Sequence, residues 1–166
     1  MSGTEQHENL FIDRQDQAIF KALNAVSLRV GEAIDAAEVS RIALELMYVR
    51  ISQINGCVFC LDRHVPKALQ AGATHQQLAV VAAWRDSSAF TTEERLALEL
   101  GEVVTELPDP EFRKEIVATV RAELGDPAAS ALTWAAINMN AFNRVSILSH
   151  HPVTPHKYPT ETGPGK

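Results

Sequence analysis

The feature that most constrains this chain is a helical spacing of apolar residues that runs through residues 16–149. Apolar side chains recur there at steps of three and four, which places them on one face of a helix. No strand-like alternation persists, and the one Asn-Gly pair lies between two helical patterns. The pattern predicts an all-α fold, a helical bundle of about six to seven helices.

Glycines and capping residues predict where the first two helices begin and end. A first helix is expected over residues 15–30, with Gly31 as its end. Residues 35–38, Asp-Ala-Ala-Glu, resemble a capping box that would open the second helix. That helix should stop at Asn55-Gly56, because a glycine suits a left-handed helix exit. Ser52 and Gln53 are expected to brace this turn and to take no part in chemistry.

The remaining helices are marked in the same way. A third helix should cover residues 57–71 and end at Gly72, with Pro66 either kinking it or starting a new turn. Residues 74–77 and 91–94 have the sequence of capping boxes. A helix ending at Gly125 and a last helix opening at Asp126-Pro127 complete the series.

The length of 166 residues indicates one domain, which is long enough to bury a core without disulfide staples. We expect residues 15–149 to form this domain and residues 1–14 to be flexible. Residues 150–166 contain four prolines among polar residues, so a flexible tail is expected there.

Charge and hydropathy narrow the class of partner. The chain has 15 basic and 21 acidic residues and no basic run, which argues against binding to nucleic acid or to an anionic membrane. Its first residues are polar, and no apolar run approaches the roughly 20 residues that span a bilayer. A soluble, cytoplasmic protein that meets small molecules or other proteins is expected.

The two cysteines, Cys57 and Cys60, carry the strongest chemical signal. In a reducing compartment such a pair is more often catalytic or metal-binding than structural. At the start of a helix, Cys57, Cys60 and His64 share one face, and the helix dipole favours a thiolate. His64 can then take the thiol proton. The Asn55-Gly56 turn folds the preceding helix back, so that Glu45 can reach the same pocket.

Two other functions stay open on these residues. Zinc sites use the same Cys-x-x-Cys spacing, and Cys57, Cys60, His64 and Glu45 could supply four ligands. No second cysteine pair or His-x-x-x-His follows, which favours redox chemistry. The other alternative is a redox-regulated binding protein or chaperone-like oligomer, in which the disulfide acts as a switch.

The same residues resemble a known family. Glu45, eleven intervening residues and then Cys-x-x-Cys-x-x-x-His are similar to the core of the alkyl hydroperoxidase D (AhpD-like) proteins, within the carboxymuconolactone decarboxylase superfamily. The resemblance covers residues 35–148. It includes the strings Ala-Gly-Ala at 71–73, Ala-Ala-Trp-Arg at 82–85, Thr-x-Glu-Glu-Arg-x-Ala-Leu at 91–98 and Ile-Asn-x-Asn-Ala-Phe-Asn-Arg at 137–144.

The resemblance implies a thiol peroxidase and disulfide oxidoreductase that reduces alkyl hydroperoxides in antioxidant defence. It implies that Cys60 becomes the sulfenic acid and that Cys57 is the proton donor and resolving thiol. Glu45 and His64 would form a proton relay, with no metal or organic cofactor. A dithiol protein of lipoyl or thioredoxin type would be the reductant, and the protein would be a homo-oligomer, a trimer or a hexamer.

One position departs from the family pattern. The best-studied members place a histidine directly before the second cysteine, where this chain has Phe59. The relay therefore lacks one imidazole, and a lower peroxidase turnover is expected. Members of the decarboxylase branch generally lack the cysteine pair, so lactone decarboxylation is not expected here.

Overall fold

α-Helices make up nearly all of the chain that the structure, a computed structural model, describes, namely residues 9–155. Within this range seven α-helices and one short 3-10 helix are present and no strand, which confirms the predicted all-α fold. The elements are α1 (Ile12–Gln15), α2 (Gln17–Ala36), α3 (Arg41–Asn55), α4 (Val58–Ala71), α5 (His75–Val80), the 3-10 helix (Val81–Asp86), α6 (Thr92–Glu106) and α7 (Pro110–Leu148).

Helix α3 is the centre of the bundle and contacts α4, α6 and α7. It is buried on two sides. Met47 and Ile51 join α6, α7 and the end of α2 in the larger apolar cluster, whereas Leu46 and Val49 face a smaller cluster with the 3-10 helix. Each such side chain stabilises the fold by about 1.5–3 kcal/mol relative to an exposed one. A helix fixed from both sides is a rigid support for polar side chains at its remaining positions.

The approach of α6 to α3 depends on Gly101. A Cβ atom at this position would lie 2.6 Å from Cγ of Met47 and 3.4 Å from two carbons of Ile51. No ordinary side-chain contact is that short, so only glycine allows this packing.

The structure corrects the predicted end of the first helix. Helix α2 continues through Gly31 to Ala36, because Val30 and Ile34 are buried and outweigh the roughly 1 kcal/mol cost of a helical glycine. Residues 35–38 do not form a capping box. Asp35 instead pairs with Arg41 at 2.7 Å, and Ser40 caps α3 by accepting the N–H of Ala43.

The other predicted helix boundaries are confirmed. Gly56 and Gly72 end α3 and α4 in the left-handed conformation, and capping boxes begin α5 and α6 at Thr74 and Thr91. Pro66 lies inside α4 without ending it. Helix α7 contains a break at Gly125. The sequence predicted that one helix ends there and that the last helix opens at Asp126-Pro127.

Contacts within the described chain reach beyond residues 15–149, the domain that the sequence predicts. Ile12–Gln15 is helical, and His151 packs against Phe11 and Phe59. These side-chain contacts join the two ends of the described chain. The parts of the predicted flexible segments at residues 1–8 and 156–166 lie outside the described residues. None of the helices in residues 9–155 combines the length and apolar character needed to cross a bilayer.

Candidate active site

The cysteine pair is held at the sharp turn between α3 and α4. Gly56 has φ +69°, which favours glycine and reverses the chain so that α4 runs back along α3. Cys57 is the N-cap residue of α4, and its Sγ accepts the backbone N–H of Cys60 at 3.3 Å. The two cysteines form a disulfide and are almost fully buried, with exposures of 1% and 4%. This confirms a Cys-x-x-Cys motif at a helix N-terminus.

A buried polar network fixes this turn. The backbone N–H of Cys57 donates to the carbonyl of Ser52 at 2.9 Å. The Asn55 amide donates to the Oδ1 atoms of Asn140 and Asn143, both at 2.9 Å, and the Asn143 amide donates to the Ser52 hydroxyl at 3.2 Å. Ser52 and Asn143 are completely buried, so each bond replaces one that water would have made. Ser52 braces the turn, as predicted.

Glu45 and His64 form a hydrogen-bonded pair beside the disulfide. Nδ1 of His64 lies 2.7 Å from Oε2 of Glu45, and the side chains are only 13% and 12% exposed. Since a carboxylate accepts, Nδ1 is the donor and Nε2 is left without a hydrogen bond to any described residue. The helices bring this pair together because α4 runs back along α3.

Tyr48 packs against the Glu45–His64 pair. Its ring packs edge-on against the His64 ring, with centroids 5.0 Å apart. Burial raises the pKa of Tyr48, and the negative charge of Glu45 raises it further. The phenol therefore stays protonated at neutral pH and keeps its hydroxyl as a donor. The prediction from sequence missed Tyr48, although it follows Glu45 by three residues and so shares its helix face.

A cavity of about 580 Å³ opens in front of these groups, between α2, α3, α4 and α7. Glu45, His64 and Cys60 all line it, whereas Cys57 lines a smaller cavity on the other side of the motif. The structure thus brings three of the four predicted site residues, Glu45, His64 and Cys60, to one cavity. The fourth, Cys57, is bonded to Cys60 through the disulfide. The other aromatic or charged residues of the cavity lining are Asp13, Phe20, Arg41, Tyr48, Phe59, Arg63, Lys67, Phe142 and His151.

A second histidine reaches the site from the end of the described chain. The His151 ring lies 4.9 Å from the Phe59 ring and 5.7 Å from the Phe11 ring. Its Nε2 is 3.1 Å from Oδ1 of Asp13, and its buried Nδ1 has no hydrogen-bond partner among residues 9–155. His151 lines both cavities. Because His151 lies in a Pro-rich segment, the sequence predicted that it belongs to a flexible tail. The only sequence feature that could have pointed to a histidine at this site is the pair His150-His151 after α7.

Cys57, Cys60, His64 and Glu45 are the four residues that the sequence leaves open as zinc ligands. Within residues 9–155, no group of three or more histidine, cysteine, aspartate or glutamate side chains is arranged to hold a metal ion.

The fold and the site define an all-helical protein with a cysteine pair beside a carboxylate–imidazole pair. Residues 18–102 match the carboxymuconolactone decarboxylase family, and the chain belongs to this family as an AhpD-like member of the superfamily.

Relatives of the chain extend this assignment. It is 33% identical over 111 residues to the uncharacterized protein YdfG of Bacillus subtilis (strain 168), an alignment that covers 67% of this chain and 76% of that protein. It is 36% identical over 81 residues to the uncharacterized protein YnjA of Escherichia coli (strain K12), covering 47% and 44%. The crystal structure of ATU0492 from Agrobacterium tumefaciens, a protein of unknown function proposed to be the antioxidant defence protein AhpD, superposes with a TM-score of 0.76. The two are 27% identical, and the match covers 89% of this chain and 99% of that one.

Proposed function

We propose that the protein is a thiol-dependent peroxidase and disulfide oxidoreductase that reduces alkyl hydroperoxides in antioxidant defence. The observation that carries this proposal is the Glu45–His64 pair, held at 2.7 Å in the cavity that Cys60 also lines. A redox-active sulfur, a proton carrier and room for an organic substrate thus meet in one place. The likeness to ATU0492, itself proposed for antioxidant defence, supports the same role.

The reaction starts from the reduced pair. The Cys60 thiolate attacks one oxygen of the hydroperoxide, so that an S–O bond forms and the O–O bond breaks. The alkoxide that leaves takes a proton from the imidazolium of His64 and departs as an alcohol. Glu45 orients His64 through Nδ1 and stabilises its positive charge, which leaves Nε2 to give and accept the proton.

Cys57 closes the cycle. The Cys57 thiol attacks the sulfenic sulfur of Cys60: the S–S bond forms, the S–O bond breaks, and hydroxide leaves with the Cys57 proton as water. An external dithiol then reduces the disulfide and is itself oxidised. We propose a lipoyl or thioredoxin-type protein as this reductant and no resident metal or organic cofactor. Cys60 is assigned the attack because it faces the large cavity, whereas Cys57 lines the smaller one.

Peroxide consumption by the purified protein tests the proposal. Turnover of cumene hydroperoxide with a dihydrolipoyl or thioredoxin reducing system should be lost in Cys60→Ser. In Cys57→Ser a dimedone-trappable sulfenic acid should remain on Cys60. Trapping on Cys57 in Cys60→Ser after one equivalent of peroxide, with none on Cys60 in Cys57→Ser, would reverse the two roles. Absence of turnover in the wild type, with both thiols reduced and no zinc by elemental analysis, would refute the peroxidase.

A homo-oligomer, trimer or hexamer, is proposed on the exposed apolar side chains of α7. Trp134 and Ile137 are 55% and 44% exposed and line one shallow groove with Val117. Large exposed apolar groups of this kind are typical of subunit contacts. Light scattering should give a mass of three or six chains, and Trp134→Glu should lower it. A monomeric wild type would contradict this proposal.

A redox-regulated binding protein is the second candidate, and one contact favours it. Phe59 stands between the two cysteines and packs against His151, which follows α7. A change at the cysteine turn on reduction would therefore reach the end of the chain directly. The same assay separates the candidates, because a switch needs no catalytic turnover.

A further inference from the structure

The charges around the large cavity differ in sign from those of the whole chain. The protein has a formal charge of −6, yet three basic residues and only two acidic ones line the cavity. Both acids are already paired with a histidine, Glu45 with His64 and Asp13 with His151. With the histidines counted as neutral, the formal charge of the lining is +1, opposite in sign to that of the whole chain.

That positive charge lies on one helix, next to the reactive sulfur. Arg63 and Lys67 are exposed at the mouth of the cavity, one helical turn apart, and neither has a carboxylate within ion-pair distance among residues 9–155. The third cation, Arg41, is already bound to Asp35. Arg63 also stacks on the Phe59 ring at 5.1 Å, which holds its guanidinium close to the cysteine turn.

Helices α2 and α7 contribute an aromatic pair and a methionine to the cavity. Phe20 of α2 and Phe142 of α7 meet edge-to-face, with ring centroids 6.1 Å apart, and both line the cavity together with Met139. At about 580 Å³ the space is far larger than hydrogen peroxide requires and is in the range of sites for organic ligands.

We propose that this cavity selects organic hydroperoxides that carry a carboxylate, such as the hydroperoxides of fatty acids. The inference rests on the proposed peroxidase function and names its substrate class. The carboxylate binds Arg63 and Lys67, the hydrocarbon packs against Phe20 and Phe142, and the peroxide group lies at Cys60. The reaction is the one given above, with the acid group unchanged.

Helix geometry sets the spacing of the two ends of this substrate. Arg63 and Lys67 follow Cys60 by three and seven residues, which at about 1.5 Å per residue is roughly 4.5 and 10 Å along α4. The acid and the peroxide are therefore expected within about 10 Å of each other, so a chain that is folded or carries its peroxide mid-chain fits best.

The test compares linoleic acid hydroperoxide with its methyl ester, which removes only the charge. The wild-type protein should turn over the acid with a kcat/KM about tenfold higher, which corresponds to about 1.4 kcal/mol of extra transition-state binding from the two cations. Raising the salt concentration should shrink this ratio. The double variant R63Q/K67Q should lose the preference, because its kcat/KM on the acid should fall to a value near that on the ester.

A charge-matched control is available on α7. R113Q/K114Q removes the same two charges from residues that do not line the cavity, so it should keep the acid preference. Equal rates of the wild type on acid and ester would overturn the proposal while leaving the peroxidase function intact. The proposal would also be overturned if R63Q/K67Q kept the preference for the acid over the ester. The same holds if the KM of this variant rose only for the dithiol reductant.

Ligand binding tests the substrate class without turnover. The fluorescence of cis-parinaric acid, a fatty acid without a peroxide group, should increase on binding to C60S and should do so several-fold more weakly with R63Q/K67Q/C60S. Its methyl ester should bind equally weakly to both. Failure of the acid to bind C60S, or equal binding of acid and ester, would overturn the substrate class even if the peroxidase function failed as well.

Discussion

Two buried carboxylates on neighbouring helices show how differently the fold treats the same group. Glu45 on α3 has a single partner, His64, and lies on the wall of an open cavity. Glu102 on α6 accepts from Arg50 at 2.6 Å and from Trp84 at 3.0 Å, and also from Arg85, and it does not line the cavity at Cys60. The fully bonded carboxylate holds helices together, whereas the other keeps capacity for chemistry.

The largest effect is expected where the structural carboxylate is removed. Glu102→Ala leaves Arg50, which is mostly buried, without its partner, and breaking such a pair typically costs about 3–5 kcal/mol. Urea unfolding should show this loss. The specific activity of the folded fraction should stay near wild type. A loss below about 1 kcal/mol would mean that water replaces Glu102 without penalty.

Gly101 lies between these two regions, directly before Glu102 and against Met47 of α3. Gly101→Ala forces the two helices apart or distorts Met47, and overpacking of this kind costs about 1–3 kcal/mol. Thermal denaturation should show the loss. Because the two changes share the same space, Met47→Ala should cost less stability in the Gly101→Ala background than in the wild type. Equal stability of wild type and Gly101→Ala would show that α6 shifts freely.

The catalytic side of the comparison is tested with Glu45→Gln. The amide keeps the shape but cannot stabilise a charged imidazole, so peroxide turnover should fall by about an order of magnitude or more. The stability should change much less than in Glu102→Ala. Glu106→Gln, an exposed change on α6, is the matched control and should leave the rate unaltered. An unchanged rate in Glu45→Gln would remove this carboxylate from the mechanism.

The smallest effect is expected in the pH dependence of stability. Burial by itself would raise the pKa of Glu102, but hydrogen bonds from Arg50, Arg85 and Trp84 outweigh it and lower this pKa below its ordinary value of 4.5. The ionised form therefore stabilises the fold fully above the unfolded-state pKa, and this contribution is lost as the pH falls through the folded-state pKa. Acid should lower the free energy of unfolding of the wild type more than that of Glu102→Gln. Parallel curves would show that other carboxyl groups dominate acid unfolding.

Local chemistry made most helix boundaries predictable. The capping boxes at Thr74 and Thr91 and the left-handed glycine at Gly56 depend on a few consecutive residues, so the sequence alone predicts them. Gly31 and the capping box expected at residues 35–38 were the exceptions. A helix continues through a glycine when its flanking side chains are buried, and burial of Val30 and Ile34 is a tertiary property.

The candidate site divides in the same way. The spacing of Cys57, Cys60 and His64 within one helix, and the reversal at Gly56, were sufficient to predict which residues meet. The sequence by itself therefore determined the helices and the cysteine motif, because both depend on neighbours within a turn or two.

Only the tertiary structure decided what surrounds that motif. Asp13 and His151 are 138 residues apart in the chain, yet they pair beside Phe59. Arg63 and Lys67 become a charged rim only because α2 and α7 enclose the space in front of them. Such contacts depend on how helices pack against each other, and packing is set by the whole core rather than by any local pattern.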